Sequence, residues 1–257
     1  MNIWISDNFL KWYSYVETST TQSEHIANEA YDILHHVENV LENHSSEQFR
    51  IDAVVALKRA INQRLKCLSK FYEIEKIASV KPSKGVLQDL TLLGIIRPIM
   101  LRKLMEIRNN LEHNNTKPPN KDKCAELLEF VWYFLRTTDR LVRKIDSSIL
   151  FQNNDVYDSK YWISLETGPS KEWEIKIRGW LSQKMIRKKE FSDSLNIELK
   201  KYESGREWHR RMLKDESSLI RKMATSRKQN PTDHYIEGII ISDNERKLKI
   251  YKKYFAY

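Results

Sequence analysis

Residues 45 to about 79 open as SSEQFRIDAVVALKRAINQRLKCLSKFYEIEKI and contain neither proline nor glycine. Ile51, Val54, Val55, Leu57, Ile61, Leu65, Leu68 and Phe71 recur through them at helical spacing. At 1.5 Å rise per residue the run predicts a helix of about 50 Å. A helix of that length with a single apolar stripe needs partner helices to cover it.

The flanking sequence supplies them. Residues 21–43 place Ile26, Ala30, Ile33, Val37 and Val40 on one stripe, with Thr21 and Glu24 spaced as a capping box. The segment VKPSKGV ends the long helix, and Pro98 opens a third, PIMLRKLMEIRNNLEH. NNTKPPN stops that one, and a fourth helix starting at KDKCAELLEFVWYFLR runs to about residue 146. The expectation is a mainly α fold, an up-down bundle of long helices over residues 1–150.

Beyond residue 150 the period changes. YWISL and WEIKIRGW alternate at period two, and HYIEGIIISDNERKLKIYKKY reads as a hairpin turning at Asp243-Asn244. Residues 205–228 read as helical between them. Residues 151–257 are therefore expected to form a small C-terminal α+β module with hairpin strands.

Charge divides the same way. The chain has a formal charge of +9, of which +7 falls in residues 151–257. Clustered lysine and arginine suit a polyanion partner, nucleic acid before membrane surface. Cys67 and Cys124 both fall in helical segments and read as reduced core thiols. No stretch of 18 apolar residues occurs and the N-terminus has no basic-then-apolar leader pattern, so a soluble cytoplasmic protein with no membrane partner is expected.

Most enzyme signatures are missing. There is no GxSxG, HExxH, CxxC, phosphate loop or dinucleotide fingerprint. His25, Glu29, Asp32 and His36 share one helical face, but as the flank of an apolar stripe they read as solvated polar residues; neither metal nor cofactor is expected. What survives is EIRNNLEHNN, with Arg108, Asn109 and His113 at the end of the third helix. The Arg-to-His spacing alone decides nothing, since a match is expected roughly once by chance and Arg227 to His234 provides another. Position says more: Asn109 and His113, four apart, fall away from the stripe of Met100, Leu104, Ile107 and Leu111, and Arg108 lies at its edge.

A long-helix bundle with RNNLEH closing one helix before a proline-bearing loop, followed by a helix rich in aromatics (FVWYFL), resembles the HEPN superfamily of α-helical ribonucleases and RNA-binding domains over roughly residues 20–146. The family motif is Arg-x4–6-His with a polar residue after the arginine, and Arg108, Asn109 and His113 match it. The resemblance implies a metal-independent endoribonuclease of a toxin–antitoxin or anti-phage defence system, acting as a homodimer in which two motifs share a cleft. An antitoxin or defence-system partner protein is implied with it. Some toxin members carry a tyrosine two residues after the histidine; Asn115 stands there in this chain, which puts that mode of neutralisation in doubt. Two other readings stay open: a non-catalytic module that binds nucleic acid through its basic part, and a protein-docking role in which Arg108 merely pairs with Glu112 and His113 caps its helix.

Overall fold

The computed structural model of the chain describes residues 1–22, 24–78, 85–97, 99–113, 117–153, 160–214 and 230–256, with the backbone alone at 78, 100, 104, 108 and 111–113. Most of VKPSKGV, Pro98 and the first three residues of NNTKPPN lie outside the described residues. The chain divides into two compact units, Thr20–Ile145 and Met1–Ser19 with Asp146–Tyr257.

The first unit is helical: α1 (Glu24–Asn43), α2 (Glu47–Tyr72), α3 (Ile74–Ala78), α4 (Val86–Leu92), α5 (Ile99–His113) and α6 (Lys121–Arg143). Within it α1 packs on α2 and α6, and α2 packs on α6 and α5. Ala27 and Ala30 of α1 and Ala53 and Ala60 of α2 are buried, and such small side chains let helix backbones approach closely. Leu34, Leu57, Ile61 and Leu135 are wholly buried around them, each contributing about 2 kcal/mol. The buried face of α1 is wider than the expected stripe, since Ala27, Leu34 and Leu41 are buried beside the half-buried Ile26, Ile33 and Val40.

The long helix is shorter than its sequence predicts. Its pattern persists to about residue 79, but α2 ends at Tyr72, where Glu73 turns left-handed (φ 42°) and its N–H bonds to the Ser69 carbonyl. Tyr72 holds the break in place by donating its hydroxyl to the carbonyls of Leu141 (2.9 Å) and Lys144 (3.2 Å). Periodicity cannot see such a tertiary tie. Thr21, expected as a cap, lies instead in a strand.

The second unit corrects the expected fold class. It is built on one eight-stranded sheet: β1 (Asn2–Ser6), β2 (Tyr13–Thr21), β3 (Lys144–Gln152), β4 (Trp162–Glu166), β5 (Lys176–Leu181), β6 (Ile186–Arg187), β7 (Ser194–Ser204) and β8 (His234–Ile240), in the order β2-β3-β4-β5-β8-β7-β1-β6. The pairings are antiparallel, as in Leu165↔Ile177 and Ile177↔Gly238. The chain is therefore a mixed α/β fold, not a mainly α bundle with a small C-terminal α+β appendage. Three causes account for the difference. None of the nine residues of β2 is buried, so YSYVETSTT has no apolar alternation to read. β7 sits inside residues 184–228, a stretch rich in lysine and arginine, and β3 begins at Lys144, within the residues expected to finish α6.

Register sorts the sheet's two faces. Ile5, Ile197, Ile236, Ile177 and Ile163 are buried on one, and Phe151 on the same face meets Phe9 edge-on at 5.5 Å. The expected hairpin at Asp243-Asn244 does not exist. Asp243 is the N-cap of a helix, α8 (Asn244–Phe255), its carboxylate accepting from the Arg246 N–H at 2.9 Å. KLKIYKKY happens to alternate at period two, yet Ile250, Tyr251, Tyr254 and Phe255 are buried at helical spacing, and the last three close around Trp173. A further helix, α7 (Gly205–Leu213), follows β7 and is closed by a capping box between Ser204 and Glu207.

Candidate functional site

All three candidate residues belong to α5, which runs unbroken from Ile99 to His113. Leu101 is buried, Met105 and Ile107 are half-buried, and Arg102, Lys103, Glu106, Asn109 and Asn110 are exposed. The helix therefore turns one side to its unit and leaves the Asn109 amide accessible. Arg108 and His113 stand five residues apart on the backbone, about 7.5 Å along the axis. Their side chains lie outside the described residues, as do those of Met100, Leu104 and Leu111 in the expected apolar stripe.

The chain that follows the motif is fixed at its far end. Arg50 of α2 donates Nε to the Pro119 carbonyl (2.9 Å) and Nη1 to the Ser45 carbonyl (2.6 Å). Asn120 then caps α6, its side chain accepting from the Lys123 N–H at 2.9 Å. Cys124 is buried one turn on, and burial pushes its thiol pKa up, as it does for Cys67; both cysteines are free.

The competing motif, Arg227 to His234, is described only at its histidine. Arg227 lies outside the described residues, while His234 is the first residue of β8, stacked on Tyr202 with ring centroids 5.0 Å apart. Burial lowers the His234 pKa, opposed by Asp233 and Glu207. The acidic and histidine face of α1 is dispersed: His25 pairs with Glu29 at 3.5 Å, and Asp32 and His36 are exposed. Among the described residues no three His, Cys, Asp or Glu side chains gather as a metal site.

The tryptophans of the sheet unit take different places. Trp173 and Trp180 are buried, the first against Tyr251 and Tyr254, the second edge-on to Trp208 at 5.5 Å. Trp162, across from Trp180 in the register, is half-buried. On that same face Glu17 accepts from Ser164 (2.8 Å) and Ser148 (3.2 Å) and lies 3.6 Å from Arg178, beside a hollow of about 270 Å³ lined by both acids and bases. Of its lining, Glu166 pairs with Lys171, Lys176 with Glu174 and Arg178 with Glu17.

No family model, curated protein or solved structure matches this chain. No helix among the described residues is long and apolar enough to cross a membrane.

One group of charged residues was missed by sequence reasoning. Lys11, Lys249, Lys252 and Lys253 line a single hollow in the sheet unit. The signal for it was present: Asp243 followed by buried positions 250, 251, 254 and 255 spells a capped helix, which puts Lys249, Lys252 and Lys253 on one side.

Proposed function

We propose that the protein is a metal-independent endoribonuclease of the toxin–antitoxin or anti-phage defence type, working as a homodimer on RNA in the cytoplasm. The observation that carries this reading is the uninterrupted α5, which presents RNNLEH in its last turns with the amides of Asn109 and Asn110 exposed. Support also comes from the packing of α5 on the long α2 and of α2 on α1 and α6.

The reaction needs a base of near-neutral pKa and a fixed cation. His113 takes the proton of the 2′-hydroxyl, and the freed oxygen attacks the adjacent phosphorus. The P–O5′ bond breaks, and the leaving 5′-oxygen takes a proton from a second histidine in its cationic form. Products are a 2′,3′-cyclic phosphate and a 5′-hydroxyl. Arg108 neutralises charge on the phosphorane through its fork of N–H donors, a role lysine fills less well. Asn109, one turn before His113, orients the imidazole or the phosphate. One chain has one such histidine in the motif, so the general acid is His113 of a second copy, which is the reason for the homodimer. A protein partner, antitoxin or defence component, restrains the activity.

The test is incubation of purified protein with defined RNAs in EDTA. Cleavage that persists under chelation supports the reading; cleavage abolished by EDTA and restored by a divalent ion would sink it. The second reading, a non-catalytic nucleic-acid-binding module, is favoured by the basic excess of residues 151–257, and RNA affinity with no cleavage in any preparation would establish it.

A further inference from the structure

The hollow around Lys11 has a volume of about 670 Å³ and lies between the 3-10 turn Asp7–Lys11, residues 192–193 and α8. Its acids are already engaged. Asp7 is joined to Lys249 at 3.0 Å, and Asp193 to Arg187 at 3.2 Å. Nearby, Arg246 takes up Glu190 (2.6 Å) and Asp243 (2.8 Å), and its Nη2 donates to the Phe191 carbonyl (3.3 Å), tying the end of the 186–193 segment to α8. Lys188 and Lys189 on that segment are exposed. Lys11 and Lys252 are exposed too, and neither forms an ion pair with a described residue. Four lysines, Lys11, Lys249, Lys252 and Lys253, therefore outnumber the two acids, Asp7 and Asp193, in the lining of the hollow.

We propose that this hollow binds the phosphate backbone of an RNA strand. Lys249, Lys252 and Lys253 lie on one side of α8 within about 6 Å along its axis, and ammonium groups on flexible stems suit a run of phosphates without regard to base. Its described lining favours a polyanion over a membrane or protein partner. Among the described residues, Leu10 and Ala256 are its only apolar side chains, too little to enter a bilayer, and none of the lining residues is a tryptophan or tyrosine that would anchor a protein. The choice of RNA rests on the ribonuclease reading; the binding itself does not require cleavage. The last-turn lysines also favour the helix end electrostatically, but that role would leave RNA affinity untouched.

The test is a fluorescence-anisotropy titration of the full chain with a short, labelled 2′-O-methyl RNA, which lacks the 2′-hydroxyl nucleophile and cannot be cut by this chemistry. Lys11→Ala/Lys252→Ala is compared with wild type and with Lys66→Ala/Lys70→Ala, a pair of exposed lysines on α2 that matches the charge change. The expected result is about a tenfold loss for the first pair alone, with the slope of log affinity against log salt reduced by about 1.4, corresponding to two phosphate contacts. Equal affinity and slope for wild type and the first pair, or an equal loss for the control pair, overturns the proposal. So does a loss confined to phosphatidylserine vesicles, which would assign the hollow to a membrane surface. Unchanged thermal melting of both variants keeps a folding defect out of the comparison. Cleavage by wild type with unaltered binding by the groove variant defeats the groove alone; groove-dependent binding with no cleavage of ordinary RNA defeats the ribonuclease alone.

Discussion

The guanidinium of Arg64, 1 % exposed inside the helical unit, lies 3.5 Å from the carboxylate of Asp139. Its Nη2 also donates to the Ala27 carbonyl at 3.2 Å, so one side chain of α2 reaches both α1 and α6, while Nη1 has no hydrogen-bond partner among the described residues. Burial lowers the Arg64 pKa, opposed by Asp139. Asp139 in turn accepts from Arg143 at 2.6 Å. Removing the acid leaves a desolvated cation, whereas replacing the cation by an aliphatic chain removes the need for it. Asp139→Ala is expected to destabilise the protein by about 3 kcal/mol and Arg64→Met by much less, as read from urea unfolding followed by helical circular dichroism. Equal losses for both would show that Arg64 acts through packing instead.

In the middle of the sheet, a Cβ added at Gly179 would stand 2.1 Å from the carbonyl oxygen of Trp162 and 2.8 Å from the Cα of Ile163. Both atoms are backbone of β4, paired with β5, so nothing flexible can give way. Gly179→Ala is expected to cost about 2 kcal/mol or more, and to lower the melting temperature more than alanine at Gly94, where an added Cβ meets no atom within 4 Å but the backbone is left-handed (φ 78°). Comparable melting temperatures for the two variants would contradict the close approach.

Glu203 accepts two hydrogen bonds from Arg211, each 2.8 Å, joining β7 to α7. The Arg211 side chain, through that hydrogen bond and its charge, holds the Glu203 carboxyl below the ordinary glutamate range, against an opposing contribution from burial. A carboxylate depressed in the folded state stabilises the fold above its unfolded pKa of about 4.3 and loses that contribution as pH falls through the lower folded value. Arg211 is half exposed, so the effect is modest. Glu203→Gln is expected to flatten the fall in stability between about pH 4.3 and the lower folded pKa, measured as melting temperature against pH; an identical acid profile in the variant would show that the pair does not contribute.

The helical half of this chain was legible because its residues obey one rule at a time. Ala30 and Val37, Leu57, Ile61 and Leu68 fall on helical stripes and are buried as such. The sheet was less so. β4 and β5 announce themselves through Ile163, Leu165 and Ile177, but no residue of β2 is buried, and Leu195 and Ile197 of β7 run on into Lys200 and Lys201. α8 misled because Leu248 and Ile250 alternate with Lys247 and Lys249 just where Asp243 caps a helix. At the candidate site the sequence turned Asn109 away from a stripe of Met100, Leu104, Ile107 and Leu111; Asn109 is exposed and Ile107 half-buried, while the other three side chains lie outside the described residues, and the buried Leu101 was not on that stripe. The capped helix could have placed Lys249, Lys252 and Lys253 together, but not Lys11, which is 241 residues from Lys252 and joins them only through the fold.

Asn109 offers an intermediate test of the motif. If its exposed amide orients His113 or the phosphate, Asn109→Ala is expected to lower cleavage by about tenfold to a hundredfold while leaving stability within about 0.5 kcal/mol, as for an exposed surface position. Rate and melting temperature falling together would point to a folding role.

The most direct test of the central claim is to incubate wild type and His113→Ala with the same end-labelled RNA in EDTA and to map the termini of the fragments. The account predicts 2′,3′-cyclic phosphate and 5′-hydroxyl ends from wild type and at least about a hundredfold less cleavage from the variant. Equal cleavage by His113→Ala, or fragments ending in a 3′-hydroxyl and a 5′-phosphate, would contradict it.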